Sequence, residues 1–238
     1  MGDNMALLCM LHPGTPEKQK RCLDLLRRSA REYYRQPSAK CTTWSYFTPF
    51  PPPKPGKPAN PAIGGMEIYT SKKALQSQVD DPAYFQSYHD TVKRENLYTK
   101  EEELVAWYRA AGFEARQGGG KEGEGVLISI SRMQCKDRQK VVETITDFAK
   151  WVLANEPFVL TYALFTRPKA PNEVVLFVRY ADGKGLKSHG EAPEHVEVVK
   201  KLSTLLTGSL GKGTTLWQEV GDSFASQADD ASGSRSKL

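Results

Sequence analysis

The chain has 238 residues, of which 39% are hydrophobic and 26% are charged, with a formal net charge of +5. These values are typical of a globular protein that can bury a core in one large domain or two small ones. No apolar run reaches the length of about 18 residues that a membrane helix needs, and the N-terminus lacks a secretory signal pattern. The mild, evenly distributed charge does not indicate nucleic-acid binding.

The cysteines Cys9, Cys22, Cys41 and Cys135 are scattered, without paired spacing. This distribution predicts reduced thiols in an intracellular compartment and argues against a zinc site. No helical metal-binding motif of the HExxH type occurs, so we expect no metal.

Patterns in the first half predict strands and helices in alternation. Apolar, β-branched and aromatic runs predict strands, and apolar positions three or four residues apart predict amphipathic helices. The predicted strands are 6–11, 40–48 and 63–69, and the predicted helices are 17–34, 71–78, 82–96 and 99–111, followed by a short edge strand at 113–117. The helix at 99–111 depends on Thr99 and Glu102, which have the spacing of a capping box.

A proline-rich segment, residues 49–61, separates the second and third of these strands. Prolines at this density favour a stiff, extended loop. A ligand for an SH3-like groove, with Lys54 and Lys57 beside the prolines, is the alternative. We prefer the loop because recognisable strands lie on both sides of it.

The glycine-rich stretch 118–125 predicts a flexible linker, after which the pattern of the first half begins again. Strands are predicted at 126–130, 158–167, 174–180 and 215–220, helices at 137–154 and 193–205, and a turn at 181–186. Each half therefore has the order β-α-β-β-α-β. This order predicts an α+β protein of two ferredoxin-like repeats, residues 1–117 and 126–222, with a disordered tail at 223–238. Two such halves are expected to pack sheet against sheet.

The segment after the predicted strand 174–180 resembles the antibiotic-biosynthesis monooxygenase family. Tyr180 is similar to the tyrosine that ends a strand in that family, and Leu186-x-x-His189 followed by Pro193 is similar to its helix start. Arg179 departs from the family, which often has an acidic residue there.

The first half resembles a diverged copy of the same pattern. Glu67-Ile68-Tyr69 ends a strand, Ala74-Leu75 follows, and Gln78 stands where the histidine is expected. The resemblance implies that one chain supplies both sheets of an α+β barrel as a pseudo-dimer, which could pair further as a homodimer. It places a single active pocket in the second half, with the first half as its lid.

The resemblance also implies an activity. Family members include enzymes that oxidise small aromatic or polyketide molecules with oxygen and neither metal nor flavin, alongside members that degrade haem or isomerise lactones. For this chain it implies a cofactor-independent monooxygenase of secondary metabolism, with oxygen and a small hydrophobic or aromatic substrate as its partners. The fold alone does not choose among these activities.

Cofactor-free oxygenation needs a base, hydrogen-bond donors for the substrate anion and aromatic walls that exclude water. His189 is our candidate base or orienting group, because the ordinary pKa of histidine suits that role near neutral pH, and Tyr180 lies beside it in the pattern. Side chains expected to line the pocket are Trp44, Tyr46, Tyr69, Tyr162, Phe177 and His195. His89 is a further candidate. Helix capping by His189, an exposed His195 and simple core packing of the aromatic residues are the alternatives.

Two other functional classes stay open. A non-catalytic ligand-binding or scaffold protein of the same fold would use the proline-rich segment as its partner site. An RNA-recognition module has the same order of elements, but Glu173, Val174 and Val175 stand where its strand signature needs basic and aromatic residues. We therefore expect neither a nucleic acid nor a membrane as partner.

The chain ends in Ser236-Lys237-Leu238, the pattern of a peroxisomal import signal. It predicts a peroxisomal location and an import receptor as partner. Coincidence in a disordered tail is the alternative.

Overall fold

The computed structural model describes residues 4–52, 61–118 and 120–226. Most of the proline-rich segment, residues 53–60, and the tripeptide Ser236-Lys237-Leu238, which the sequence predicts to be an import signal, lie outside this part. The chain forms two compact units. Unit 1 contains the described residues up to Ala106, Glu122–Glu124 and those from Gln218 onward, and unit 2 contains 107–121 and 125–217. The division of the sequence into repeats 1–117 and 126–222 stays a prediction.

The first half of the chain has the predicted order β-α-β-β-α-β. Its elements are β1 (Met5–Leu11), α1 (Pro16–Ser29), β2 (Cys41–Pro49), β3 (Ile63–Tyr69), α2 (Lys72–Val79), α3 (Ser87–Arg94) and β4 (Glu103–Phe113). Short π-helical segments, Ala30–Tyr34 and Pro82–Gln86, follow α1 and precede α3. Thr15 caps α1 by accepting a hydrogen bond from the Lys18 amide, with Pro16 in the first turn.

In unit 1, β3 lies between β1 and β2, and both pairings are antiparallel. A short strand, β9 (Phe224–Ala225), pairs with the outer side of β2. The sequence predicts disorder from residue 223, whereas these two residues are buried. The structure supplies the reason, because Phe224 packs into the unit 1 core under the Arg35 guanidinium.

The second half repeats the order. Its elements are β5 (Leu127–Gln134), α4 (Arg138–Asn155), β6 (Val159–Arg167), β7 (Ala170–Tyr180), α5 (Gly183–Glu191), α6 (Pro193–Leu205) and β8 (Thr214–Glu219). In unit 2, β7 lies antiparallel between β5 and β6, and the C-terminal part of β4 pairs with β6. Apolar side chains of α4 and α6 cover one face of this sheet. The predicted α+β class, with a ferredoxin-like order in each half, is confirmed.

The predicted helix at 99–111 is wrong, because this segment is the strand β4. Thr99 does not cap a helix; its hydroxyl donates to the His12 carbonyl, and Glu102 bonds His89 instead. Pairing with β6 stabilises the strand, and Gly112 adopts a positive φ of 84° where a Cβ would lie 1.8 Å from the Tyr162 carbonyl oxygen. Tertiary pairing here overrides a local capping pattern.

The predicted turn at 181–186 is also wrong beyond its first residues. Asp182 caps a helix, α5, by accepting from the Gly185 amide. Gly185 packs against the Phe158 ring, where a Cβ would lie 3.1 Å from ring carbons. Gly185 therefore permits close helix packing rather than a turn. Among the described residues, no helix is long and apolar enough to cross a membrane.

Candidate functional site

A cavity in unit 1 lies between the sheet and the helices that cover it. It encloses about 470 Å³ of empty space including its opening. The part that the centre of a water molecule can occupy is about 40 Å³, which is room for roughly three waters. Trp44 and Tyr46 of β2 and Glu67 of β3 face it from the sheet, and Gln78 and His89 face it from the helices. Trp44 and Tyr46 face the cavity together because residues two apart in a strand point to the same face of the sheet.

Two residues that line this cavity each have a buried polar atom without a hydrogen-bond partner among the described residues. These atoms are Trp44 Nε1, which is a donor, and Gln78 Oε1, which is an acceptor. Trp44 is 0% exposed and Gln78 is 2% exposed. An unsatisfied buried polar group costs about 1–3 kcal/mol. A ligand that supplies the missing partners would remove that cost, so this pair of atoms is the feature of the cavity that points most directly to a ligand.

A buried carboxyl group, Glu67, lies at the sheet side of the cavity. The hydroxyls of Tyr46 and Tyr69 donate to its two oxygens at 2.5 and 2.6 Å. Burial raises the pKa of Glu67, although both tyrosine hydrogen bonds oppose that shift. The raised pKa reduces the negative charge that this wall presents to a ligand.

His89 and Glu102 form an ion pair at the same cavity. The His89 Nε2 and Glu102 Oε1 atoms are 2.7 Å apart, and His89 Nδ1 is 2.8 Å from the Phe85 carbonyl oxygen. A carbonyl can only accept, so Nδ1 carries a proton. Burial lowers the pKa of His89, but the hydrogen bonds to Glu102 and Phe85 outweigh it, and the net pKa is raised. The imidazolium form of His89 is therefore more favoured than in a free histidine.

The opening of the cavity includes Tyr84 and Phe85, from the π-helical segment Pro82–Gln86. The Phe85 ring lies 4.2 Å from the His89 ring, and Tyr84 stacks on Tyr33 at 5.2 Å. Neither ring is fully buried. The space of about 40 Å³ is smaller than an aromatic ring needs, so a ligand with such a ring requires side chains of the lining to move.

A second buried polar pair lies in unit 2. His189 of α5 and Glu156 at the C-terminus of α4 are 4% and 3% exposed, and His189 Nδ1 is 2.5 Å from Glu156 Oε2. Burial raises the pKa of Glu156 to about 7 and lowers that of His189 to about 4. Both shifts favour the neutral form, because burial penalises charge. Between these pH values the pair holds one shared proton and no net charge.

Aromatic rings enclose this pair. The rings of Tyr180, Tyr162 and His195 lie 5.5, 5.9 and 4.5 Å from that of His189. The Tyr180 hydroxyl is 3.3 Å from Ser129 Oγ. Phe177 is buried on the opposite face of β7, an odd number of residues from Tyr180. His189 is not among the side chains that line the unit 1 cavity.

The sequence-predicted site residues thus fall into two groups. Trp44 and Tyr46 line the cavity of unit 1, and Tyr69 reaches it through Glu67. His189, Tyr180, Tyr162 and His195 form the cluster of unit 2.

Sequence reasoning missed the carboxyl groups Glu67, Glu102 and Glu156. Glu67 is recognisable in the sequence as an acidic residue within an otherwise apolar strand. Glu102 has the spacing of a helix-capping residue, which conceals its role at the cavity. Among the described residues, no group of three or more His, Cys, Asp or Glu side chains could hold a metal ion.

No protein-family model and no curated protein matches this sequence. The structure is similar to that of a candidate monooxygenase from Lactobacillus acidophilus, with 12% identity, 94% of this chain and 97% of that chain covered, and a TM-score of 0.75. A candidate monooxygenase from Fusobacterium nucleatum gives 11% identity, 92% coverage of both chains and a TM-score of 0.69. A protein described as anthrone oxidase-like gives 12% identity, 92% coverage of both chains and a TM-score of 0.57.

Identities this low bear on the fold and on nothing finer. They confirm the fold that the resemblance to the antibiotic-biosynthesis monooxygenases predicted. This chain therefore has the α+β fold of the monooxygenase-like proteins.

Proposed function

We propose that this protein is an oxygen-dependent enzyme that oxidises a small hydroxylated aromatic molecule in the unit 1 cavity without a cofactor. The observation that carries the proposal is the pair of unpartnered buried atoms, Trp44 Nε1 and Gln78 Oε1, on a cavity that also holds the ion pair of His89 and Glu102. The name of one similar structure, anthrone oxidase-like protein, supports the choice of an aromatic substrate class.

The reaction needs no external reductant, because the substrate supplies all four electrons that O₂ takes up. An activated CH₂ group of the substrate becomes a carbonyl, one oxygen atom of O₂ enters the product, and the other leaves as water with the two hydrogens. The protein has to remove a proton from the substrate and hold the resulting anion long enough for oxygen to react.

The ion pair of His89 and Glu102 fits that task. When Glu102 accepts the substrate proton, the imidazolium of His89 stays charged and lies beside the new substrate anion. The pair then carries one net positive charge, which stabilises the anion. Glu67 opposes this less than an ordinary carboxyl group would, because burial raises its pKa.

This assignment moves the proposed base from His189 to Glu102. His189 is enclosed by rings and bonded to Glu156, and its lowered pKa makes it a weak proton acceptor. Tyr180 then supports the buried pair rather than a substrate.

Oxygen uptake by the purified, chelator-treated full chain tests the proposal. The substrates are a panel of hydroxy-aromatic compounds with an activated CH₂ group, each matched by its methyl ether. We expect uptake with the hydroxy compounds, no uptake with the ethers, and one labelled atom in the product when ¹⁸O₂ is used. Binding of the hydroxy compounds without uptake would favour the non-catalytic ligand-binding alternative.

We also propose that this chemistry takes place in the peroxisome, on the strength of Ser236-Lys237-Leu238 at the end of the sequence. The full chain with a fluorescent protein at its N-terminus should enter peroxisomes. The same fusion without Leu238 should remain in the cytosol. Equal distribution of the two fusions would contradict the assignment.

A further inference from the structure

Gln78 and Tyr34 form a hydrogen-bonded pair whose direction can reverse. In the structure, Gln78 Nε2 donates to the Tyr34 hydroxyl oxygen at 2.8 Å, which leaves Gln78 Oε1 as an acceptor. If the amide rotates by half a turn, the Tyr34 hydroxyl donates to Oε1 and Nε2 becomes the group left over. Both arrangements contain one hydrogen bond, since a hydroxyl can donate or accept and an amide has one end of each kind.

The surroundings of the pair hold the rings in place while leaving this choice open. Tyr34 is 5% exposed, and its ring stacks on Trp44 at 5.4 Å. Burial raises the pKa of the Tyr34 hydroxyl well above its ordinary value, so the hydroxyl keeps its proton and no charge moves when the pair reverses. The change consists of two rotations about single bonds.

Trp44 differs from Gln78 in this respect. Its Nε1–H can only donate. The cavity therefore offers a fixed donor at Trp44 and, at Gln78, a group that is either acceptor or donor. The ligand atom that matches Gln78 is one whose preferred role also changes. A hydroxyl that ionises is such a group, because a neutral phenol is a strong donor and a weak acceptor, whereas the oxyanion can only accept.

We propose that Gln78 is the contact that binds the substrate hydroxyl both before and after deprotonation, with Tyr34 as the positioning residue that takes up the opposite role each time. This inference rests on the proposed function, and it specifies the substrate as a molecule with an ionisable hydroxyl at Gln78 and a hydrogen-bond acceptor at Trp44. A site with a fixed donor or a fixed acceptor at residue 78 would favour one form of the substrate and resist the change to the other.

The test uses binding of 4-nitrophenol, a phenol that absorbs visible light only as its phenolate. Titration of the full chain at a pH below and a pH above the ionisation of the probe gives one dissociation constant for each form. Wild-type protein is expected to bind both forms with affinities within about tenfold of each other. Gln78→Met is expected to weaken binding of the neutral phenol by about 3–10-fold and of the phenolate by about 10–100-fold, the ranges for neutral and charge-assisted hydrogen bonds.

The outcome separates three arrangements. A fixed acceptor at residue 78 predicts a loss for the phenol alone. A fixed donor predicts a loss for the phenolate and almost none for the phenol, because a neutral phenol oxygen is a weak acceptor, and the reversible pair predicts a loss of about threefold or more for both. A loss confined to one form, or no binding of either form by wild-type protein, overturns the proposal. Gln76→Met, the same change at an exposed position of α2, is the control and should leave both constants unchanged.

Gln78→Leu repeats the experiment with a second apolar side chain in case the methionine variant folds poorly, which circular dichroism would reveal. Because the readout is binding and ionisation, it is independent of oxygen uptake. Loss of both forms in the variants, combined with no oxygen uptake by wild-type protein, would retain the reversible contact and reject the oxygenase.

Discussion

Gln78 and His189 hold equivalent places in the two halves of the chain, and their surroundings differ. Each lies seven residues after the side chain that caps its helix, Ser71 in α2 and Asp182 in α5. Each bonds a residue that follows the preceding long helix, Tyr34 for Gln78 and Glu156 for His189. Gln78 faces a cavity with an atom unpaired, whereas His189 is enclosed by rings with a carboxyl partner.

Of these two side chains, the more reactive one, His189, is not the one that lines the unit 1 cavity. In unit 2 the histidine and its carboxyl group satisfy each other, and their shared proton removes the charge that burial would penalise. In unit 1, Gln78 has one polar atom without a hydrogen-bond partner, and a ligand could supply that partner. We therefore expect chemistry in unit 1 and structural support in unit 2.

The largest contrast should come from removing the carboxylate of each His–Glu pair. Glu102→Gln removes the proposed proton acceptor, and general base catalysis typically contributes about 10²–10⁴-fold. We expect a loss of that size in the rate of oxygen uptake. Glu156→Gln should leave the rate within about threefold of wild type. A large loss in the second variant and none in the first would return the base to the second half.

The next contrast concerns stability, for which the larger effect is expected in unit 2 and the smaller one in unit 1. His189→Ala leaves the buried Glu156 carboxyl without its partner and creates a cavity, which should lower the free energy of unfolding by about 3–5 kcal/mol. Gln78→Ala removes one hydrogen bond from a site that already has an unpaired atom, so about 1 kcal/mol is expected. Urea denaturation followed by circular dichroism measures both. Equal losses would show that the unit 1 cavity is not the less tightly packed of the two sites.

The pH dependence of stability should separate the two members of the unit 2 pair. The folded pKa of His189, about 4, lies below its ordinary value, so its contribution is present at neutral pH and is lost as pH falls through 4. The folded pKa of Glu156, about 7, lies above its ordinary value, so its contribution is present at low pH and is lost as pH rises through 7. In wild-type protein these two dependences largely cancel between pH 4.5 and 6.5.

Single variants remove the cancellation. Glu156→Gln should become more stable as pH rises from 4 to 6.5, and His189→Gln should become less stable as pH rises from 4.5 to 7. Each change amounts to about 3 kcal/mol at about 1.4 kcal/mol per pH unit. Urea denaturation at several pH values measures the slopes, and slopes of the same sign would show that the pair is not neutral in the folded protein.

The smallest contrast concerns the tyrosines that end β3 and β7. Tyr69→Phe removes one of the two hydrogen bonds to the buried Glu67 and should lower stability by about 1–2 kcal/mol. Tyr180→Phe removes only a 3.3 Å contact to Ser129, so a loss below about 0.5 kcal/mol is expected. Thermal unfolding of the two variants side by side measures the difference, and a greater loss for Tyr180→Phe would contradict the roles assigned here.

The order of elements could be predicted from the sequence because it depends on local periodicity. The strands around Trp44 and Tyr69 follow from runs of apolar, β-branched and aromatic residues, and the helix that carries Val141 and Ile145 follows from apolar spacing. The strand β4 could not be predicted, since its pairing partner β6 lies about 50 residues further along the chain.

The site was predicted less well for a related reason. Trp44 and Tyr46 could be chosen by residue type, but the partners of Gln78 and His89 lie on other elements. Nothing in the local sequence shows that Gln78 leaves an atom unpaired or that Glu102 meets His89. A resemblance between motifs directed attention to His189, whose environment is decided by Glu156 and by the rings around it.

The adjacent glycines of β3 also limit which sequences can encode this site. Gly65 lies opposite Tyr46, and Gly64 lies opposite Phe47. A Cβ on Gly65 would lie 2.6 Å from the Tyr46 ring, and one on Gly64 would lie 2.1 Å from the Phe47 ring. If β2 and β3 paired one residue out of register, Ile63 or Met66 would lie under one of these rings and clash with it. Gly64 and Gly65 thus leave room for both rings only in the native register. That register places the Tyr46 hydroxyl within hydrogen-bond distance of Glu67.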